Sequence, residues 1–215
     1  MASKKGPGGP ARGHIFDLHV HSTGSADSTL SLGLAISRAR ELGLCGIAIT
    51  DHDRLTVVEP ALPGLVAVPG AEITTQWGDL LALGISELPD NSLGVPEIVE
   101  SIHSQGGVAV IPHPFTDLPN SMNDRTLEII GIVDGLETAS PRKAADNLRA
   151  RKLARLHDKA QVGGSDAHAL DEMGRSLTIC DSPDVAGLLA AIRAGKTQAV
   201  GNGRMGIGSR ASGLG

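Results

Sequence analysis

The 215-residue sequence contains no tyrosine, one tryptophan and two phenylalanines. Its core must therefore be assembled from leucine, isoleucine, valine and alanine. The same scarcity argues against a long nucleic acid as partner, because stacking on single-stranded bases needs aromatic platforms. A net charge of −5 points the same way and gives no general surface for anionic membranes. There are only two cysteines, Cys45 and Cys180, both in apolar segments. They exclude a disulfide framework and make a reducing, cytoplasmic setting the expectation. No apolar run approaches the roughly 18 residues of a membrane-spanning helix. The early lysines are not followed by a hydrophobic region, so no signal peptide is expected.

What is present alternates. Short, wholly apolar runs such as Gly46-Ile47-Ala48-Ile49 and Val108-Ala109-Val110-Ile111 read as strands buried on both faces. Between them lie segments with helical spacing at 30–42, 94–104, 144–156 and 184–194. Strands alternating with helices predict an α/β fold with a mostly parallel sheet. About seven such units favour a distorted, TIM-like (β/α)7 barrel over an open sheet. Residues 1–13 and 201–215, rich in glycine and without periodicity, are expected to be a loose lead-in and tail around one domain at 14–200.

The metal-capable residues sit where apolar runs end. His19 and His21 close the first strand, with Asp17 one pleat earlier as a possible partner for a ligating imidazole. His52 follows the second strand in Thr50-Asp51-His52-Asp53. Glu72 lies in an apolar setting that demands a partner, His113 stands between two prolines, and Asp166 and His168 follow Gly163-Gly164. Each has a plain structural reading alone: a capping aspartate at Asp166, a helix start at Asp51, a loop histidine at His113. Five strand ends carrying Asp, Glu or His are not how structural histidines distribute. In barrels these ends converge on one face. Imidazole and carboxylate donors without thiolate favour Mn, Fe, Zn or Ni. His103 and His157 read as helix-surface residues and His14 as strand entry.

DLHVHS, TDHD, PGAEIT, HPF and GSDAH, in that order, resemble the PHP (polymerase and histidinol phosphatase) family over residues 14–200. The resemblance implies a distorted seven-stranded barrel with a metal site at the C-terminal ends of the strands, binding two or three divalent ions (Mn, Zn or Fe) that hydrolyse phosphoesters. It implies His19, His21, Glu72 and Asp166 at a first metal, Glu72 bridging to a second completed by Asp79 and His113, and Asp27, His52 and His168 at a third. Family members with a GHxLALG-type strand have histidine where this chain has Asp79. Three divalent ions against four carboxylates would leave about two positive charges, suited to a small phosphorylated substrate. Arg142, Lys143 and Arg175 are candidates to bind its phosphate, and Asp51 or His168 to move protons; Glu137 is expected beside the metals. Two other classes stay open: a metal-binding module with weak or no catalysis, and amidohydrolase-like cleavage of a non-phosphate bond.

Overall fold

The computed structural model describes residues 13–58 and 61–201. The lead-in and tail expected from the sequence thus lie, except for Gly13 and Gly201, outside the described residues. The elements run β1 His14–Val20, α1 Leu32–Glu41, β2 Gly46–Ile49, β3 Ala61–Leu62, β4 Leu65–Thr75, β5 Gly78–Leu83, α2 Val95–Ser104, β6 Val108–Ile111, a 3-10 turn Asn123–Arg125 leading into α3 Thr126–Ile129, β7 Gly135–Ala139, α4 Ala144–Leu156, β8 Ala160–Gly163, β9 Ser176–Cys180, α5 Val185–Arg193 and β10 Gln198–Gly201. Among the described residues no helix is long and apolar enough to cross a membrane.

The strands form one curled sheet in the order β10-β9-β1-β2-β4-β5-β6-β7-β8, with β3 beside β4. It is a nearly closed α/β barrel, as expected, but of mixed direction. β1–β2, β2–β4, β6–β7 and β7–β8 are parallel, whereas β4–β5 and β5–β6 are antiparallel. The physical reason at β4–β5 is the link: only Gln76 and Trp77 separate the two strands. So short a connection can only make a hairpin, because a parallel crossover needs a dozen or more residues. The segments expected as two strands, around Leu65–Val68 and Gly70–Thr74, are one 11-residue strand. Neither β3 nor β10 was foreseen.

Closure is achieved by side chains. The Thr178 hydroxyl on β9 accepts from Gly163 N and donates to Gly163 O on β8, both at 2.8 Å. Thr197 Oγ1 donates to Gln161 O at 2.9 Å. Phe16 and Leu18 of β1, Leu81 and Leu83 of β5, and Val108 and Val110 of β6 pack with Leu188 and Ile192 of α5. Alternation along each strand supplies these contacts, and aliphatic side chains fill the space as the composition required. α1 is capped by Ser31, whose side chain accepts from Leu34 N, and carries Arg38 and Arg40 in its last turn, favourable at a helix C-terminus.

Past β8 the backbone runs against β1. A methyl group at Gly164 would collide with Cβ of His19 and lie 2.6 Å from Glu137 Oε1. Gly164→Ala is therefore expected to destabilise the protein by about 1–3 kcal/mol. Gly33→Ala, in α1 with nothing within 4 Å of the new methyl, should instead stabilise it by about 0.5–1 kcal/mol. Urea midpoints of the two variants should move in opposite directions. Equal midpoints would show that the β8–β1 approach tolerates a side chain.

Candidate metal centre

β1 and the turn after it deliver His19 and His21, both fully buried. Their Nε2 atoms face each other at 3.1 Å, and one proton at most can join them. Oε2 of Glu72, from the middle of β4, lies 3.2 Å from the first and 3.1 Å from the second. Oδ1 of Asp166, after β8, lies 3.5 and 3.4 Å away. Donors held about 2.0–2.1 Å from one tetrahedral ion stand roughly 3.3 Å apart. Five of the six separations bracket that edge; His19, His21 and Asp166 form one ligand-capable group, and Glu72 joins His19 and His113 in a second that shares His19 with it.

The supports are as telling as the donors. Glu137 Oε1 accepts from Nδ1 of His19 at 2.9 Å, and its Oε2 accepts from His113 N at 3.0 Å. A carboxylate partner keeps the proton on Nδ1 and turns the Nε2 lone pair to the centre. Nδ1 of His168 lies 3.1 Å from the Asp166 carbonyl, which can only accept, leaving its Nε2 free as well. His113 and Asp166 take left-handed backbone conformations, φ 29° and 50°, at a cost of about 1–3 kcal/mol each. The hydrogen bonds from His113 N to Glu137 and from Asp166 N to the His19 carbonyl, 2.8 Å, hold them there.

Around this shell stand the other donors. Asp27 Oδ2 is 3.5 Å from His52 Nε2 and 3.3 Å from His168 Nε2, and His21, His52 and His168 form one ligand-capable group. His113 Nε2 is 3.4 Å from Glu72 Oε1. Asp79 on β5 joins His52 and Glu72 in another group, its donor atoms within 4.8 Å of theirs. Glu72 Oε1, Asp79 Oδ1 and His113 Nδ1 are buried without a hydrogen-bond partner. The orphaned carboxylate oxygens of Glu72 and Asp79, two residues of one ligand-capable group, fit a cation.

Electrostatics follow from crowding. Burial opposes protonation of His19, but the Glu72, Glu137 and Asp166 carboxylates prevail and raise its pKa well above the ordinary range. His21 and His113 are raised as well: burial opposes this, and the neighbouring carboxylates outweigh it. Burial likewise opposes ionisation of Glu72 and Asp166, yet the His19 charge and imidazole hydrogen bonds hold both carboxyls low. Asp79 goes the other way. Burial and then repulsion from Glu72 push it up to about 7, only partly offset by His113 and by a hydrogen bond from Asn120.

Nine of the expected ligands, His19, His21, Asp27, His52, Glu72, Asp79, His113, Asp166 and His168, are thus brought together. Other expectations need correction. Asp17 partners no imidazole; it accepts from Ser165 N at 2.9 Å and Gly174 N at 3.0 Å, tying the β8 turn to β1. Asp51 is not placed for proton transfer. Its carboxylate accepts from Ser22 N, Ser22 Oγ, Ser25 Oγ and Thr56 Oγ1, so its role is to pin the loop that carries His21. Lys143 pairs with exposed Asp117. Arg175 pairs with Asp171 and Glu172. Of the three cations only Arg142 touches the cluster, through Asp166. Asn120 and Ser25 were missed: loop residues carry no periodic signal, and only their contacts reveal them.

A donor shell at one mouth of an α/β barrel defines the class as a divalent-metal-binding barrel. Residues 17–148 match the family model described as PHP domain, and residues 144–197 the one described as PHP-associated. The chain belongs to the PHP domain family. It is 31% identical over 169 residues to protein MJ0417 of Methanocaldococcus jannaschii, covering 74% of this chain and 68% of that protein. To the 5′-3′ exoribonuclease Rnm of Escherichia coli it is 39% identical over 70 residues, 29% of this chain and 24% of the enzyme. Its fold is similar to that of a two-domain Bacteroides vulgatus protein containing a predicted PHP-like metal-dependent phosphoesterase, with TM-score 0.71, 20% identity, and coverage of 87% of this chain and 64% of that one. It is also similar to Endonuclease Q in complex with a 27-mer duplex, with TM-score 0.64, 16% identity, and coverage of 84% and 56%. The chain therefore spans just under two thirds of the Bacteroides protein and about a quarter of the exoribonuclease. The expectation against long nucleic acid gains no support, since this fold occurs in a protein bound to a DNA duplex.

Protons compete with metal here, and the sign follows from the shifts. Asp17, pushed up to about 6 mainly by burial, and Asp79 at about 7 favour the fold while protonated. Their contribution fades as pH rises from about 4 to 7. The raised histidines add stability below about 6.5 that is lost as pH climbs through their folded values. Lowered Glu72 and Asp166 lose theirs only in stronger acid. Chelator-stripped protein should thus have its highest Tm near pH 4–5 and fall toward pH 8, with the Tm gain on adding metal growing over that range. A stripped protein most stable at pH 8 would contradict this. For Asp79, Ala should cost one bound metal per chain and His should retain it, read by elemental analysis. Unchanged metal content in both variants would place Asp79 outside the centre.

Proposed function

We propose that the protein is a metal-dependent phosphoesterase acting on a phosphorylated metabolite, a nucleotide or an oligonucleotide end, with residues 14–200 as its catalytic domain. The observation that carries this reading is the Arg142 guanidinium bonded to Asp166, at the rim of a shell of imidazole and carboxylate donors. That juxtaposition suits a phosphoryl group, which needs cationic clamping on several oxygens. His19, His21, Glu72 and Asp166 would hold one ion, Glu72, Asp79 and His113 a second, and Asp27, His52 and His168 a third. Mn, Zn or Fe are the metals this donor set suits. Bound there, divalent ions supply an activated water and draw charge from phosphoryl oxygens.

The chain's own residues do the rest. Arg142, one third exposed, reaches solvent and can present its fork to phosphate. His168, with Nδ1 committed to a carbonyl and 27% of its side chain exposed, keeps Nε2 for the third ion. Glu137 and Asp51 position His19 and the His21 loop. The family and the Bacteroides relative, which contains a predicted PHP-like metal-dependent phosphoesterase, support hydrolysis of phosphoester-type bonds, and the exoribonuclease relative keeps oligonucleotides among the substrates.

Stripped protein reloaded with Mn, Zn or Fe should release nitrophenol from p-nitrophenyl phosphate or its bis-ester. Arg142→Gln should lower kcat/KM about a hundredfold while keeping the metal content. Full metal loading without turnover on either ester, under any of the three metals, would overturn the reading and favour a binding module.

A further inference from the structure

A groove lies beside the donor cluster and not over it. It has a volume of about 960 Å³ and runs between the end of β7, one face of α4, and β10. Four arginines line it: Arg142, Arg151, Arg155 and Arg175. None of its lining residues is acidic, although the whole chain carries −5. A concave surface with sign opposite to the net charge concentrates field and selects anions.

The arginines are differently committed. Arg142 spans from the groove to Asp166 at the metal centre, so the two places are continuous. Arg151 is fixed by its bond to the Thr138 carbonyl, 3.3 Å. Arg175 shares its charge with Asp171 and Glu172. Among the described residues Arg155 has no carboxylate partner. Arg151 and Arg155 are one helical turn apart, about 6 Å along the axis, and the α4 stretch from Ala144 to Arg155 extends about 16 Å. One phosphate monoester leaves most of such a length unused. Four arginines along one groove, with no aromatic side chain in the lining, suit a strand held by its phosphates and not by its bases.

We propose that the groove between α4 and β10 binds the successive phosphates of a single-stranded oligonucleotide whose reacting phosphate lies at the donor cluster. The placement of the reacting phosphate rests on the phosphoesterase reading; the groove rests on its own lining. Base identity is not read, and affinity grows with strand length until the arginines are matched.

The test uses the full-length, metal-loaded protein and 5′-fluorescein oligoadenylates of two and eight nucleotides, with binding read by anisotropy against salt. If the strand is cut during titration, the same comparison is read from KM. The octamer should bind more tightly than the dimer. Arg155→Glu should weaken octamer binding roughly tenfold and reduce the salt slope by at least about 0.7, while leaving p-nitrophenyl phosphate hydrolysis unchanged. Lys152→Glu makes the same charge change on an exposed part of α4 that does not line the groove, and should leave octamer binding intact. Equal binding of dimer and octamer, equal loss in the Lys152 and Arg155 variants, or a nucleoside 3′,5′-bisphosphate bound as tightly as the octamer would each overturn the proposal. Arg155-dependent octamer binding by a protein that hydrolyses neither chromogenic ester would support the groove and count against the phosphoesterase reading alone.

Discussion

A single carboxylate, Glu72, sets the conditions that the rest of the structure meets. It is almost fully buried, and its two oxygens lie 3.1–3.4 Å from ring nitrogens of His19, His21, His52 and His113. A buried charge is tolerable only when paired, and here the pairing groups come from three separate places in the chain, the ends of β1, β2 and β6. β4 has to reach past its parallel neighbour β2 to bring Glu72 among them, and this accounts for its 11 residues. The hairpin into β5 then returns Asp79 to the same mouth. Proton balance follows: where histidines and carboxylates share so small a volume, each group's ionisation depends on its neighbours, and divalent ions can take over the role of the protons.

Much of this was legible in the residues themselves. Short apolar runs marked the buried strands, and the polar residues ending them marked the centre, because strand direction in a barrel converts sequence order into a common face. Strand direction at β5 was also open to reading. Thr75-Gln76-Trp77-Gly78 is too short for a crossover, yet the apolar content of the runs on either side says nothing about direction. The partners of buried carboxylates were the least legible. Asp17 and Asp51 sit next to histidines in sequence and seemed to belong to the chemistry, but both spend their oxygens on backbone amides and hydroxyls. Glu137, far from any histidine in sequence, is the group that orients His19. Hydrogen-bond partners at such separations follow from the fold and not from local spacing.

The distribution of charge gives a second instance of local structure overriding a global average. A net negative chain with hardly any aromatics seemed a poor partner for nucleic acid. The average conceals that α4 places Arg151 and Arg155 on one face, that the turn before it contributes Arg142, and that the start of β9 adds Arg175 beside them. Helical periodicity gathers charges that composition only counts. Three of the four arginines lie in the segment matching the PHP-associated model, while the donors come mainly from the segment matching the PHP domain, so the two matched segments contribute different chemistry.

The β8 turn clamps onto the first strand through the amide of Ser165 and the carboxylate of Asp17, residues separated by 148 positions. Such a contact is closed only at the cost of a very long loop. During synthesis His19 and His21 leave the ribosome long before Asp166 and His168 exist to complete their surroundings. The amino-terminal half must wait, with its histidines and Glu72 exposed to whatever ions are nearby, until β8 arrives. The full donor set exists only once β8 and the turn after it have closed onto β1, so the centre depends on the longest-range closure described for this barrel.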